Sequence, residues 1–312
     1  MKTAEKDKKN SPKITVKKRG NSLGIFIFEI MVRTSGLKGA YFLLEFVSTH
    51  YLLFDAEARN GSLAYLKRRF PESNVLVNLW RVHRLFVNQG RQLIDRYVIA
   101  RHPDFFKFNE NMPAEARAAL EDPACGAVLI MSHAGNWQVA LRQMGHLKKD
   151  ICIVMRPEDN PSVKNSLRMG DTAEGKAIEI IDPESDFGGV LQMIQALKDG
   201  KLVCIMGDRG YGFDTLPVSF LGDVAYFPYG AFYIAAATQC PVIALLTHKI
   251  SDKEYIADIA NIGYPIYEEG KNKKKELGNW VGKYVSLLEA FVDKHPYECF
   301  LFQNIWEQKE SK

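Results

Sequence analysis

Four uninterrupted apolar runs, at 128–131, 151–155, 202–206 and 241–246, constrain this chain more than any other feature. A run of four to six apolar residues with no polar alternation reads as a strand buried on both faces, the kind found in parallel sheets covered by helices. Helical spacing adjoins two of them: Trp137, Val139, Ala140, Met144 and Leu147 behind the first, and Val190, Ile194 and Leu197, closed by Gly200, ahead of the third. The alternation predicts an α/β fold with a mainly parallel central sheet flanked by helices. Residues 178–181 are predicted as a further short strand and 254–260, which alternate, as an edge strand.

The residues at the ends of these runs carry the chemistry. Open α/β sheets bind ligands outside the carboxyl ends of their strands. His133 stands there for the first run, Arg156 for the second, and Asp208 with Arg209 for the third. Behind His133, Gly135 gives the backbone freedom for a tight step, and Asn136 is a favourable N-cap for the helix that begins at Trp137. The positive end of that helix disfavours imidazolium and keeps the ring available as a base.

His133-Ala134-Gly135-Asn136-Trp137-Gln138 resembles the His-x4-Asp/Glu signature of the lysophospholipid acyltransferase superfamily, and its Gly-Asn-Trp filling is similar to the bacterial lipid A lauroyl/myristoyl acyltransferase branch. The resemblance implies that His133 is the general base toward an acceptor hydroxyl, with a carboxylate supporting it. Gln138 occupies the place of that acid, and an amide holds a ring without balancing its charge. Asp208 is the candidate substitute; its alternatives are pairing with Arg209 or capping a backbone turn.

Further blocks extend the likeness. Arg156-Pro157, Asn160-Pro161 and Arg168-Met169-Gly170 are similar to the family's second block, which implies that Arg156, Asn160 and Arg168 hold the acceptor's phosphate or headgroup, a task suited to a planar guanidinium. Gly207-Asp208-Arg209, 217–222 and 227–230 resemble the third and fourth blocks, adding Arg209 and Asn136 to the substrate-binding set and setting 217–222 against an acyl chain. Pro296-Tyr297-Glu298-Cys299-Phe300 is similar to the aromatic C-terminal block. The likeness spans 20–306 and is strongest over 126–230. It implies a membrane-associated acyltransferase at the cytoplasmic face of the bacterial inner membrane. Its donor is an acyl thioester of acyl carrier protein (acyl-ACP) or coenzyme A (acyl-CoA), used as a cosubstrate, and its acceptor is the hydroxyl of a membrane lipid or glycolipid. Backbone amides at the start of the Asn136 helix would receive the oxyanion. A catalytically weakened lipid-binding relative and a thioesterase or hydrolase are the alternatives.

The N-terminal region has a different character. Residues 1–19 carry eight Lys/Arg against Glu5 and Asp7, an excess of +6 beside +4 for the whole chain, so the basic balance belongs to this tail. Such a tail reads as a contact with an anionic membrane surface or as a solvated start. Residues 20–56 form an apolar helical membrane-associating segment, aromatic-rich through Phe26, Phe28, Tyr41, Phe42, Phe46, Tyr51 and Phe54 and broken at Ser35-Gly36; covering a soluble core is the alternative. Its runs fall short of the ~18 apolar residues of a confident span. The remaining 57–312 make the α/β acyltransferase domain, opening with helical periodicity over 58–101 that stops at Pro71 and carries Arg81, Arg84, Arg91, Arg96 and Arg101.

Other chemistries find little footing. Gly20-Asn21-Ser22-Leu23-Gly24 matches a nucleophile elbow in letters, and Ile14 to Val16 reads as a strand before it, but the short basic stretch ahead of the motif is not expected to supply the central sheet an elbow requires. The five cysteines are odd in number and dispersed in apolar runs, which suits reduced core residues. No metal-ligand spacing, dinucleotide fingerprint or Walker lysine occurs, and nothing beyond the basic tail suggests nucleic acid.

Overall fold

A computed structural model describes residues 22–144, 147, 149–157, 178–210, 214–268 and 270–307. Asn160 and Arg168, and the basic tail 1–19, lie outside the described residues. Nine strands are described. β1 (Lys107–Asn111), β2 (Ala127–Met131), β3 (Ile151–Val154), β4 (Glu179–Ile181), β5 (Leu202–Met206), β8 (Val242–Ser251) and β9 (Glu254–Gly263) form one sheet in the order β1-β9-β8-β2-β5-β3-β4. β6 (Thr215–Phe220) and β7 (Asp223–Pro228) form a separate antiparallel hairpin.

The apolar runs all sit in the interior of the sheet, where both faces are covered. Val128, Ile130, Val203, Val242 and Ala244 pack on one face beneath α6 (Val190–Lys198), α7 (Gly230–Thr238) and α8 (Lys273–Lys294). Leu129, Met131, Leu202, Cys204 and Ile243 pack on the other, beneath α4 (Ala114–Glu121) and α5 (Trp137–Gln143). The sheet is mixed: β8 and β9 pair antiparallel, and the other pairings are parallel. One expectation needs correction. Residues 254–263 are not at the edge, because the polar strand β1 adds outside them, with Asn109 bonded to Glu254 and Asn111 to Asp258. Lys107-Phe108-Asn109-Glu110-Asn111 lacks the apolar pattern of a strand, since an edge that faces water is blunted by polar and charged residues.

The N-terminal helices lie beside the sheet. α1 (Ser22–Phe54) is interrupted at Gly36, whose φ of 67° is left-handed, so the predicted break occurs as a kink. α2 (Ala56–Arg69) and α3 (Val75–Ile99) start at the capping side chains of Asp55 and Asn74, which accept from Ala58 N and Val77 N. One face of α1 belongs to the core: Ala40, Tyr41 and Leu44 are buried with Ile94, Tyr97 and Val98 of α3. Its other face leaves Phe42, Phe46, Leu53 and Phe54 exposed. Among the described residues no helix is long and apolar enough to cross a membrane.

Candidate active site

Strand register brings His133 and Asp208 together. Met131 of β2 pairs with Met206 of β5 in parallel, so the residues two steps beyond each strand end leave the sheet side by side. Gly207 N donates to Met131 O at 2.8 Å and carries the pairing one step further. Asp208 then meets His133 twice. Its Oδ1 and Oδ2 lie 2.9 and 3.0 Å from the ring's Nδ1, and Oδ2 also accepts from His133 N at 2.9 Å. The carboxylate is 1% exposed while 28% of the His133 side chain still meets solvent, so the pair opens outward through the ring.

The electrostatics follow from this burial. Desolvation, reinforced by the Arg209 guanidinium, holds His133 below its ordinary value of 6.5 even though Asp208 pulls it up. Burial pushes Asp208 upward, but the His133 ring, its backbone N–H and Arg209 together keep the carboxyl below the usual range. At neutral pH the pair is therefore a neutral imidazole on a carboxylate, with Nδ1–H directed to Asp208 and Nε2 left as the basic nitrogen. Burial and the Arg209 charge are the causes of the lowered imidazole.

The turn after His133 is gripped from outside its own segment. Gly135 is left-handed at φ 67°, and a Cβ there would overlap the Thr247 carbonyl of β8, so only glycine fits. Gly135 N donates to Glu298 O at 2.6 Å and Phe300 N donates to His133 O at 2.7 Å, while Ala134 bridges Cys299. Arg209 is buried and donates to the Phe300 carbonyl. The C-terminal aromatic block thus forms the floor of the site.

The remaining sequence-predicted residues fall in different places. Gln138 sits partly buried in the first turn of α5. Asn136 precedes that helix without capping it; it is 1% exposed, and its Nδ2 points back to Gln92 O of α3 at 3.1 Å and toward Tyr255 OH at 3.4 Å. Arg156 follows β3 at the same edge of the sheet and is paired with Glu184 at 2.7 Å. Three arginines of α3 lie over aromatic rings, Arg81 over Phe70, Arg84 over Trp80 and Arg91 over Tyr41.

Sequence reasoning missed the buried polar cluster behind the turn. Asp95 of α3, fully buried, receives the hydroxyls of Tyr41 and Tyr255 and the Lys249 ammonium, the last at 2.5 Å. Burial outweighs these partners and pushes the Asp95 carboxyl above its usual range. Asp95 and Lys249 are far apart in sequence, and no motif links them. The one available signal was an acid on the apolar face of α3.

The chain matches the family described as bacterial lipid A biosynthesis acyltransferase over residues 115–308. Among solved structures, the 1-acyl-sn-glycerophosphate (LPA) acyltransferase of Thermotoga maritima is similar over 81% of this chain and 98% of its own, at 15% identity and a TM-score of 0.38. No curated protein matches.

Proposed function

The chain belongs to the bacterial lipid A biosynthesis acyltransferase family, within the lysophospholipid acyltransferase superfamily, and on that premise we propose a specific reaction and site. A fatty acyl group moves from an acyl-ACP or acyl-CoA thioester to a hydroxyl of a lipid or glycolipid acceptor. The observation that carries this reading is the His133–Asp208 contact at 2.9 and 3.0 Å, with the ring reaching solvent. His133 Nε2 takes the hydroxyl proton as the acceptor oxygen attacks the thioester carbonyl. The C–O bond forms, the C–S bond breaks, and the imidazolium returns its proton to the leaving thiolate. Asp208 orients the ring and balances the imidazolium, the role that an acid at position 138 would otherwise fill. Gly135 N is already donated, so the candidates for oxyanion stabilisation are the amides of Trp137 and Gln138 in the first turn of α5.

Substrate-binding roles divide by position. Arg156, at the strand edge, suits a phosphate or headgroup that exchanges with Glu184, and Asn160 and Arg168 are proposed with it on the likeness alone. Arg209 and Asn136 act from within, by holding the floor and the turn. The test is to supply tetradecanoyl-coenzyme A or tetradecanoyl-acyl carrier protein with a lysophosphatidic acid or a monoglycosyl lipid, and to follow thiol release and acylated lipid together. Thiol release that requires an acceptor and equals product formed is the expected result. Thiol release at the same rate without acceptor would make the protein a thioesterase.

We assign the basic tail 1–19 and the segment 20–56 to membrane association and 57–312 to the chemistry, at the cytoplasmic face of the bacterial inner membrane. The exposed Phe42, Phe46, Leu53 and Phe54 of α1 support this, together with Val75, Leu76 and Trp80, exposed in the first turns of α3. Because Tyr41 and Leu44 are core residues, point variants test the assignment better than truncation. Phe46→Ser and Leu76→Ser should each weaken binding to anionic phospholipid vesicles roughly ten- to hundredfold, given ~1.5–3 kcal/mol per buried large apolar side chain. Full-length protein that ignores such vesicles in a flotation assay would refute the membrane assignment.

A further inference from the structure

Glu298 lies in the C-terminal block and touches the active-site turn by two routes. Its main-chain carbonyl accepts from Gly135 N at 2.6 Å, and its side-chain Oε2 accepts from Gln92 Nε2 of α3 at 2.6 Å. Gln92 is itself tied to the turn, because its main-chain carbonyl accepts from Asn136 Nδ2 at 3.1 Å. The contacts close a circuit: Glu298 to Gly135, along the chain to Asn136, across to Gln92, and back to Glu298. His133 lies just ahead of the turn so enclosed, with its carbonyl held by Phe300 N. A circuit constrains its members more than separate bonds do, since none of the three segments can shift without breaking a bond in another.

The charged groups around the Glu298 carboxyl come from several elements. Arg91 and Asp95 face it from α3 and Lys249 from β8, and Asp95 is in turn held by Tyr41 of α1 and Tyr255 of β9. Burial and Asp95 favour the neutral acid, while Gln92, Lys249 and Arg91 favour the anion; the balance puts the group at about 7. A carboxylate accepts a shorter and stronger bond from Gln92 than a carboxylic acid does.

We propose that Glu298 is a positioning residue for the acyl transfer described above: as the carboxylate it closes the circuit that fixes the turn behind His133, and on gaining a proton it loosens that turn. The inference rests on the transferase reading for its consequence and on the circuit for its physics. Glu298 touches no reacting atom. Its ionisation changes how well His133 is aimed and leaves substrate affinity alone.

The experiment uses the full chain with tetradecanoyl-coenzyme A and a lysophosphatidic acid, measuring kcat and KM from pH 5.5 to 9 for wild type and Glu298→Gln. In wild type kcat should rise in two steps, one below 6.5 from His133 and one near neutrality from Glu298. Glu298→Gln keeps a neutral acceptor for Gln92, so it should lose the neutral step, with kcat at pH 8 down roughly fivefold and KM unchanged, the difference between a charge-assisted and a neutral bond. A lower melting temperature with an unmoved pH profile would assign Glu298 a purely structural role and overturn the proposal. A second readout needs no turnover: the His133 ring resonances, assigned with His133→Asn, should show an extra inflection near neutrality in wild type that Glu298→Gln removes. A single inflection in both proteins overturns the proposal even if transfer is observed. No transfer with the extra inflection present leaves the circuit standing and sinks the transferase reading.

Discussion

Replacing His133 with alanine is expected to abolish acyl transfer while the protein stays folded. The ring is not a core residue, and the turn beneath it is held through main-chain atoms that alanine keeps: His133 O with Phe300 N, Gly135 N with Glu298 O, and His133 N with Asp208 Oδ2. Asp208 retains that amide and the nearby Arg209 charge, so the buried carboxylate is not abandoned. Removing a positioned general base costs on the order of 10²- to 10⁴-fold in rate, and the loss should appear in kcat. Initial rates of acylated lipid formation, with a thermal melt alongside, check both halves. Unchanged turnover in a well-folded variant would remove His133 from the chemistry. In wild type the rate should also fall as pH drops through the His133 ionisation, below 6.5, because the protonated ring cannot accept the acceptor's proton.

The second large effect separates Asp208 from Gln138. Asp208→Asn keeps the shape of the contact but turns Nδ1 into an acceptor from the new amide, which moves the ring proton to Nε2 and leaves no basic nitrogen toward the substrate. The expected loss is on the order of 10² or more in kcat, with Gln138→Glu changing little, since the place beside Nδ1 is already taken. Asp208 also raises the His133 pKa, so its removal should shift the acid limb of the rate profile further down. Rates for wild type and both variants over pH 6 to 9 with one donor decide the matter. A large gain in Gln138→Glu with no loss in Asp208→Asn would mark the chain as a weakened relative lacking its acid.

What was legible in the sequence was what a local rule governs. Uninterrupted apolar runs located the interior strands because burial on both faces leaves no room for polar residues, and strand ends located His133, Arg156, Asp208 and Arg209. The edge strand β1 escaped because water on one side removes that constraint. Asn136 shows a second kind of failure. Its type and place suit a cap, yet no cap bond forms and its Nδ2 donates to Gln92 O and Tyr255 OH, partners brought by tertiary packing. The same holds for Glu298 and Asp95, whose partners sit in other segments and follow no periodicity.

The grip of the C-terminal block also ties the turn to a distant part of the chain. Residues 298–300 supply the amide and carbonyl that fix His133 and Gly135, and they come after all seven strands of the main sheet. Contacts that join distant parts of a chain depend on the chain between them staying whole, since it holds their ends near one another. The sheet alone sets Asp208 against the His133 ring, and the C-terminal block adds the hold on the turn behind it. A nick between 294 and 298 is therefore expected to leave the sheet and the His133–Asp208 contact in place while freeing the turn at Gly135, a difference that hydrogen exchange of the Gly135 amide reads directly.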